Sequence, residues 1–137
     1  GHREIFDLAS LDFPFPVISV VSTRRFIDAH PEVILNILRA TCEAIYLYKT
    51  RPELTVPVVA KYMRVAKDGP AMVEAQRTIG QLLNQNLPPS LEGVRFVLDH
   101  YAERQPSLIN KNPADFVDMR FVRKLEEEGF FKKFASK

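Results

Sequence analysis

The chain has 137 residues, which is the size of one ordinary domain with a single hydrophobic core. Apolar residues make up 46% and charged residues 26%, so the composition excludes disordered, collagen-like and membrane-embedded proteins. Nineteen Lys and Arg residues against seventeen Asp and Glu residues leave a net charge of +2, which is too small to predict nucleic acid or anionic lipid as the main partner.

The first two residues, Gly1 and His2, are typical of what remains after an affinity tag is removed, so they are left out of the fold prediction. The natural start is therefore not visible, and the lack of a signal peptide carries no information. Residues 13–21 form the longest apolar stretch, which is far below the 18 or so residues that a membrane-spanning helix needs. Cys42 is the only cysteine, so no disulfide can form within the chain.

A strand is predicted near the start of the chain, where residues 13–22 read FPFPVISVVS. The β-branched run from Val17 to Val21 lacks regular polar alternation, which is typical of a strand buried on both faces. Pro14 and Pro16 cannot donate hydrogen bonds to a neighbouring strand, so the predicted strand begins at about Val17.

Residues 23–137 are predicted to be helical, because apolar residues recur at three- and four-residue steps and prolines stand at helix starts. The predicted helices are a short turn over Arg24–Ala29, a helix from Pro31 to about Lys49, one from Pro52 over Tyr62, one from Pro70 to about Asn86, and one after Ser90 with an apolar stripe from Leu91 to Tyr101. Pro57 lies beyond the first turn of its helix, where a proline costs about 3 kcal/mol and kinks or delays a helix.

The closing part of the chain carries further capping signals. Asn112 and Pro113 predict the start of a short helix that stops near Val117. Asp118 can then cap a final helix that carries Phe121, Val122 and Leu125 and ends before Gly129. Three aromatic side chains form a tail that should dock back on the body, at Phe130, Phe131 and Phe134.

Few side chains are candidates for chemistry. Asp99 and His100 are neighbours on a helix and diverge by about 100°, so they do not face each other as an acid–base pair. His30 and His100 lie far apart in sequence and, with a single cysteine, provide no zinc-ligand spacing. Cys42 stands within a helix on an apolar face, which favours a core position over a nucleophile.

Neither carboxylate clusters nor glycines add a catalytic motif. Glu126–Glu128 are consecutive residues at a helix end, which is typical of a solvated face. The five glycines are scattered and form no phosphate-binding GxGxxG or GxxxxGK[ST] loop. The sequence therefore predicts no enzyme, no metal site and no cofactor.

Thr23 and Arg24 are the predicted ligand-binding residues. They follow the carboxyl end of the predicted strand and open a helical turn together with Arg25. In open α/β sheets ligands gather at the carboxyl ends of strands, where backbone N–H groups and an arginine suit an anion. The alternative is that arginines at a helix start are solvated or paired with carboxylates.

Several segments together resemble a known family. They are residues 13–25, 26–32, 38–40, 60–62, 87–89 and above all 112–130, which read NPADFVDMRFVRKLEEEGF. They resemble the C-terminal portion of ABC-transporter substrate-binding proteins of the nitrate/sulfonate/taurine type, which are related to thiamine-pyrimidine-precursor proteins. The resemblance implies a periplasmic-binding-protein type II fold with two α/β lobes and a ligand between them.

On this resemblance the fold class is mainly α with one or two short strands, as the C-terminal fragment of a two-lobed α/β fold. Residues 3–22 would be a crossover strand segment and residues 23–137 a helical C-terminal region, within a single domain overall. Because the strand would lack its sheet neighbours, we expect it to pair with a second copy as a homodimer.

The resemblance also implies a function. It predicts a non-enzymatic solute-binding component of an ABC uptake system for a small organic or anionic solute, with an incomplete binding site in this chain. Its partners would be the solute and an ABC permease, and its location periplasmic or extracytoplasmic. The alternative is an independent helical protein-interaction module with a core of its own.

Overall fold

A computed structural model describes residues 5, 19–83 and 90–135, except for the side chains at positions 81, 82 and 135. The helices are α1 Arg24–Ala29, α2 Pro31–Thr50, α3 Pro52–Met63, α4 Pro70–Leu82, α5 Leu91–Ala102, α6 Arg120–Glu127 and α7 Lys132–Ala135, with 3₁₀ turns at Pro106–Leu108 and Pro113–Phe116. Most begin where the sequence predicts, because a proline or a capping residue stands at the start.

The predicted fold class is wrong. The part of the chain that the structure describes contains helices and no strand, so it is not the fragment of a two-lobed α/β fold. Residues 19–21 of the predicted strand have no regular structure, and Val20 and Val21 are 50% and 86% exposed. Val17 and Ile18 lie outside the described residues. A strand forms only when a neighbour accepts and donates its backbone hydrogen bonds, and no described residue does so.

The chain divides into two compact units, Gly1–Val21 with Pro89–Met119 and Ser22–Pro88 with Arg120–Lys137. In the first unit α5 packs against both 3₁₀ turns. Ser90 caps α5, since its Oγ accepts a hydrogen bond of 2.9 Å from the Gly93 N–H. The Arg95 guanidinium donates to the Lys111 carbonyl at 2.7 Å, which ties α5 to the loop after the first turn. Of the residues of this unit that the structure describes, Leu98 is the one large apolar residue that is buried.

The second unit is organised around α2, which contacts α1, α3 and α6. Its buried residues are Ile34, Leu35, Cys42, Ile45 and Tyr48, of which Ile34, Ile45 and Tyr48 belong to the apolar residues that recur at three- and four-residue steps along this helix. Ile37 has the same spacing but is 40% exposed.

A cluster of apolar side chains joins α2 to the end of the chain. Leu35 and Leu125 are each 1% exposed and pack with Ile34 and Phe121, while Phe130 and Phe131 cover the cluster. Gly129 has a φ of +71°, which lets the chain turn back after α6 at no steric cost. The predictions that the final helix ends before Gly129 and that the aromatic tail docks back on the body are confirmed.

The remaining helices differ from the prediction in detail. α3 begins at Pro52 and continues through Pro57, so the inner proline does not delay it. α4 ends at Leu82 instead of near Asn86, and residues 84–89 lie outside the described part of the chain. α6 begins at Arg120, two residues after the predicted cap Asp118.

Candidate functional site

The two predicted ligand-binding residues stand at the start of α1. Thr23 is the N-cap of this helix, and its Oγ1 accepts a hydrogen bond of 3.2 Å from the Phe26 N–H. Arg24 and Arg25 are exposed to solvent. The hydroxyl of Thr23 therefore has a structural partner, whereas its own proton can still be donated to a ligand. That these residues bind a ligand stays a prediction.

A pocket of about 210 Å³ lies beside α1, where the start of α2 faces α6. Its apolar floor is formed by Leu35 and Phe121, which belong to the buried cluster. Ile27 and Pro31 add apolar walls. The lining does not include Thr23 or Arg24, so the predicted ligand-binding residues and this pocket are separate features of the α1 region.

Two ion pairs stand at the rim of the pocket, and three of their four members, Asp28, Arg120 and Lys124, line it. Arg120 on α6 donates to the carboxylate of Asp28 at 3.0 Å, and Lys124 approaches the carboxylate of Glu32 at 3.4 Å. All four side chains are about half-exposed or more, so water screens both pairs. The rim cations are thereby offset by neighbouring carboxylates, which lowers their attraction for an incoming anion.

Two more long-range pairs extend this row of charges. Arg39 and Glu128 lie 2.8 Å apart, and the ammonium of Lys133 lies 2.6 Å from the carboxylate of Glu43. Lys133 also stands 3.9 Å from the centre of the Phe130 ring, which is a cation–π distance. These contacts fix the position of the C-terminal segment on α2.

The pocket sets a limit on what it can bind. Small-molecule sites usually have about 300–1,000 Å³ and bury most of their ligand. A volume of about 210 Å³ between an apolar floor and a balanced charged rim suits only part of an amphipathic molecule. The geometry brings together no nucleophile, base and orienting group in this pocket, since the titratable side chains that line it are Asp28, Arg120 and Lys124.

Cys42 lies in the core, as its position on α2 predicts, and none of its surface is exposed. Burial raises the pKa of the Cys42 thiol, an effect that the positive charge of Lys133 opposes and the negative charge of Glu43 reinforces. A thiol held neutral and covered is a poor nucleophile, because the thiolate is the reactive form.

The other titratable candidates stand on the surface. His30 joins α1 to α2 with its ring 4.8 Å from that of Phe26. His100 is exposed on α5 beside Tyr101, and its neighbour Asp99 pairs with Arg95 at 3.3 Å. Asp99 thus engages a residue one turn earlier, in accordance with the divergence expected of helix neighbours.

The glutamates at the end of α6 form a solvated face, as predicted. Glu126, Glu127 and Glu128 are all exposed. Within the described ranges no group of three or more metal-binding side chains occurs. The helices described here also include none that is both long and apolar enough to cross a membrane.

Sequence patterns could not reveal the ion-paired rim. Asp28 and Arg120 are separated by 92 residues, as are Glu32 and Lys124. Local periodicity identifies the apolar faces of α2 and α6, but which charges meet depends on the angle at which the helices pack. Comparisons with protein-family models, curated proteins and solved structures returned no significant match.

Proposed function

We propose that this chain is a helical part of the solute-binding component of an ABC uptake system, because its closing segment resembles that of the nitrate/sulfonate/taurine type of solute-binding proteins. In this role it takes part in no catalytic step. The longer protein would bind a small organic or anionic solute and deliver it to an ABC permease from a periplasmic or extracytoplasmic location.

The observation that carries the proposal is the closing segment, residues 112–130, in which the resemblance is most specific. Asn112 caps the turn Pro113–Phe116 by accepting a hydrogen bond of 3.1 Å from the Ala114 N–H. Phe121 and Leu125 are buried in the core, and Gly129 takes the left-handed conformation. Several residues of this motif have a distinct structural role, so the resemblance rests on specific positions and not on overall composition. This supports the proposal.

The expected ligand contacts are Thr23 and Arg24. An arginine with a hydroxyl donor beside it suits a carboxylate, sulfonate or nitrate group. Most of the binding site would lie in other parts of the longer protein, so this chain alone should bind solute weakly or not at all.

The experiment is calorimetric titration of the complete polypeptide that contains this chain with nitrate, short alkanesulfonates, taurine and pyrimidine precursors. We expect one of these classes to bind the complete polypeptide in a saturable manner and to give no measurable heat with the 137-residue chain. Arg24→Gln should weaken that binding while Arg24→Lys retains part of it. Tight stoichiometric binding by the short chain alone, or no binding by the complete polypeptide, would contradict the proposal.

A second candidate function is an independent helical protein-interaction module. The observation in its favour is that large apolar side chains are exposed on helix surfaces, among them Leu54, Val58 and Tyr62 at 52%, 54% and 81%. The titration described above separates the candidates: saturable solute binding by the complete polypeptide favours the solute-binding protein, whereas its absence favours the module.

A further inference from the structure

The outward surface of α3 combines an apolar stripe with cations. Leu54, Val58 and Tyr62 are spaced by four residues, so they lie on one face of the helix. Their exposed fractions of 52%, 54% and 81% leave this face without cover. The opposite side of α3 is occupied, because α3 packs on α2 and α4 and buries Ala60. The stripe is therefore a surface of the folded unit, and it extends for about 12 Å.

The side-chain charges of α3 and its C-cap that form no ion pair within the described residues are all positive. Lys61 lies beside the stripe, about 20° from Leu54 on the helical projection and on the side away from Val58, and Arg64 follows at the C-terminal end of α3. Both side chains belong to exposed residues, and neither forms an ion pair within the described part of the chain. Other cations nearby in sequence are already paired, Arg51 with Glu53 and Lys67 with Asp68.

We propose that the α3 stripe, defined as Leu54, Val58, Tyr62, Lys61 and Arg64, docks an amphipathic helix of a partner protein with acidic residues beside its apolar face. A helix is about 10–12 Å wide, so a helix that crosses α3 can cover the stripe, which is about 12 Å long. Apolar contact would supply the affinity, and the two unpaired cations would select an acidic partner and fix its orientation. This inference goes beyond solute binding; it rests on the second candidate function, for which it names the surface and the partner.

Charge argues against two other occupants. A second copy of this chain would add two more cations to the two already at this surface, because a two-fold interface brings the same patch of both copies together. An anionic membrane surface would need a wider basic field than two side chains. Lys67 and Arg77 do not extend the field, since each is offset by a carboxylate.

The test uses two synthetic peptides of about 18 residues, long enough to fold as a helix on the surface. Both carry leucines at four-residue spacing, but one has glutamates beside the leucines and the other has lysines. We expect the glutamate peptide to bind the 137-residue chain and the lysine peptide not to bind. Binding should weaken at high salt, because the distance over which exposed charges interact falls from about 10 Å at roughly 0.1 M ionic strength to about 3 Å at roughly 1 M.

Charge reversal gives the sharpest result. In Lys61→Glu/Arg64→Glu the affinity for the glutamate peptide should fall about tenfold, which corresponds to about 1.4 kcal/mol, and the lysine peptide should now bind. The matched control is Arg104→Glu/Lys111→Glu, which reverses two exposed cations outside α3 and should leave binding unchanged. Tyr62→Ala should weaken binding of whichever peptide is bound. Circular dichroism of each variant confirms that the helices are retained.

Four outcomes would overturn the proposal. They are no binding of the glutamate peptide, equal binding of the two peptides, self-association of the chain that Tyr62→Ala abolishes, and binding of vesicles of phosphatidylcholine with phosphatidylglycerol in place of either peptide. Loss of binding in the Arg104→Glu/Lys111→Glu control would likewise count against the α3 stripe as the site.

Discussion

Leu125 gives the strongest test of how the closing segment is held. Its side chain is 1% exposed and packs with Leu35 and Phe121 in the cluster that joins α6 to α2. α6 has only eight residues, and isolated helices of that length are unstable in water. Packing at Leu125 is therefore what keeps α6 folded, and Leu125→Ala should destabilise the whole C-terminal segment.

The magnitude follows from burial and cavity formation. A buried Leu→Ala change costs about 2–5 kcal/mol, and Leu125 is completely covered, so we expect about 3 kcal/mol. The matched control is Leu54→Ala, which removes the same atoms from a side chain that is 52% exposed and should cost about 1 kcal/mol or less. Because a domain of this size has a free energy of unfolding of about 5–15 kcal/mol, the difference is easily measured.

The assay is urea unfolding followed by circular dichroism, with the slope of the transition compared between variants to detect a change of the unfolded or native state. We expect Leu125→Ala to lower the midpoint well below that of Leu54→Ala at similar slope. Equal destabilisation by the two substitutions would refute the conclusion that Leu125 holds α6 on α2.

Three further predictions concern helix ends and the buried thiol. Gly129 and Arg64 have left-handed φ angles of +71° and +56°, a conformation that glycine adopts without strain. Gly129→Ala should therefore destabilise the fold by about 1–2 kcal/mol, and Arg64→Gly should stabilise it by up to about 1 kcal/mol. Shifts of the thermal unfolding midpoint in the same direction for both variants would contradict this. Ser90→Ala should cost about 1 kcal/mol through the lost cap on α5, with Ser90→Asp as the control that retains an acceptor. Cys42 should react with iodoacetamide far more slowly in the folded chain than in urea, and rapid alkylation of the folded chain would be inconsistent with burial. Because burial raises the pKa of the Cys42 thiol above its ordinary value, the free energy of unfolding should be highest below that ordinary value and should decrease as the pH rises through the folded-state pKa.

Much of the local structure could be predicted because it depends on neighbouring residues. Prolines at the first position start α2, α3 and α4, and Ser90 caps α5, so these helices begin where local chemistry allows. Cys42 is buried because it lies on the apolar face of α2, which periodicity identifies. The same applies to Gly129, whose position after an apolar helix predicts a left-handed turn.

The strand and the candidate site depended on contacts that are distant in sequence. A β-branched run such as that ending at Val21 has the pattern of a buried strand, but a strand also needs a partner, and the described residues provide none. Asp28 and Arg120 are brought together only by the packing of α6 beside α1 and α2.

The exposure of the α3 stripe is likewise a property of the tertiary structure. The sequence by itself determined where helices begin and which of their faces are apolar, since those depend on caps and spacing. Only the packing decided that Ala60 faces inward while Leu54, Val58 and Tyr62 remain on the surface. An apolar face is buried when a neighbour reaches it, and that condition is set by the whole fold.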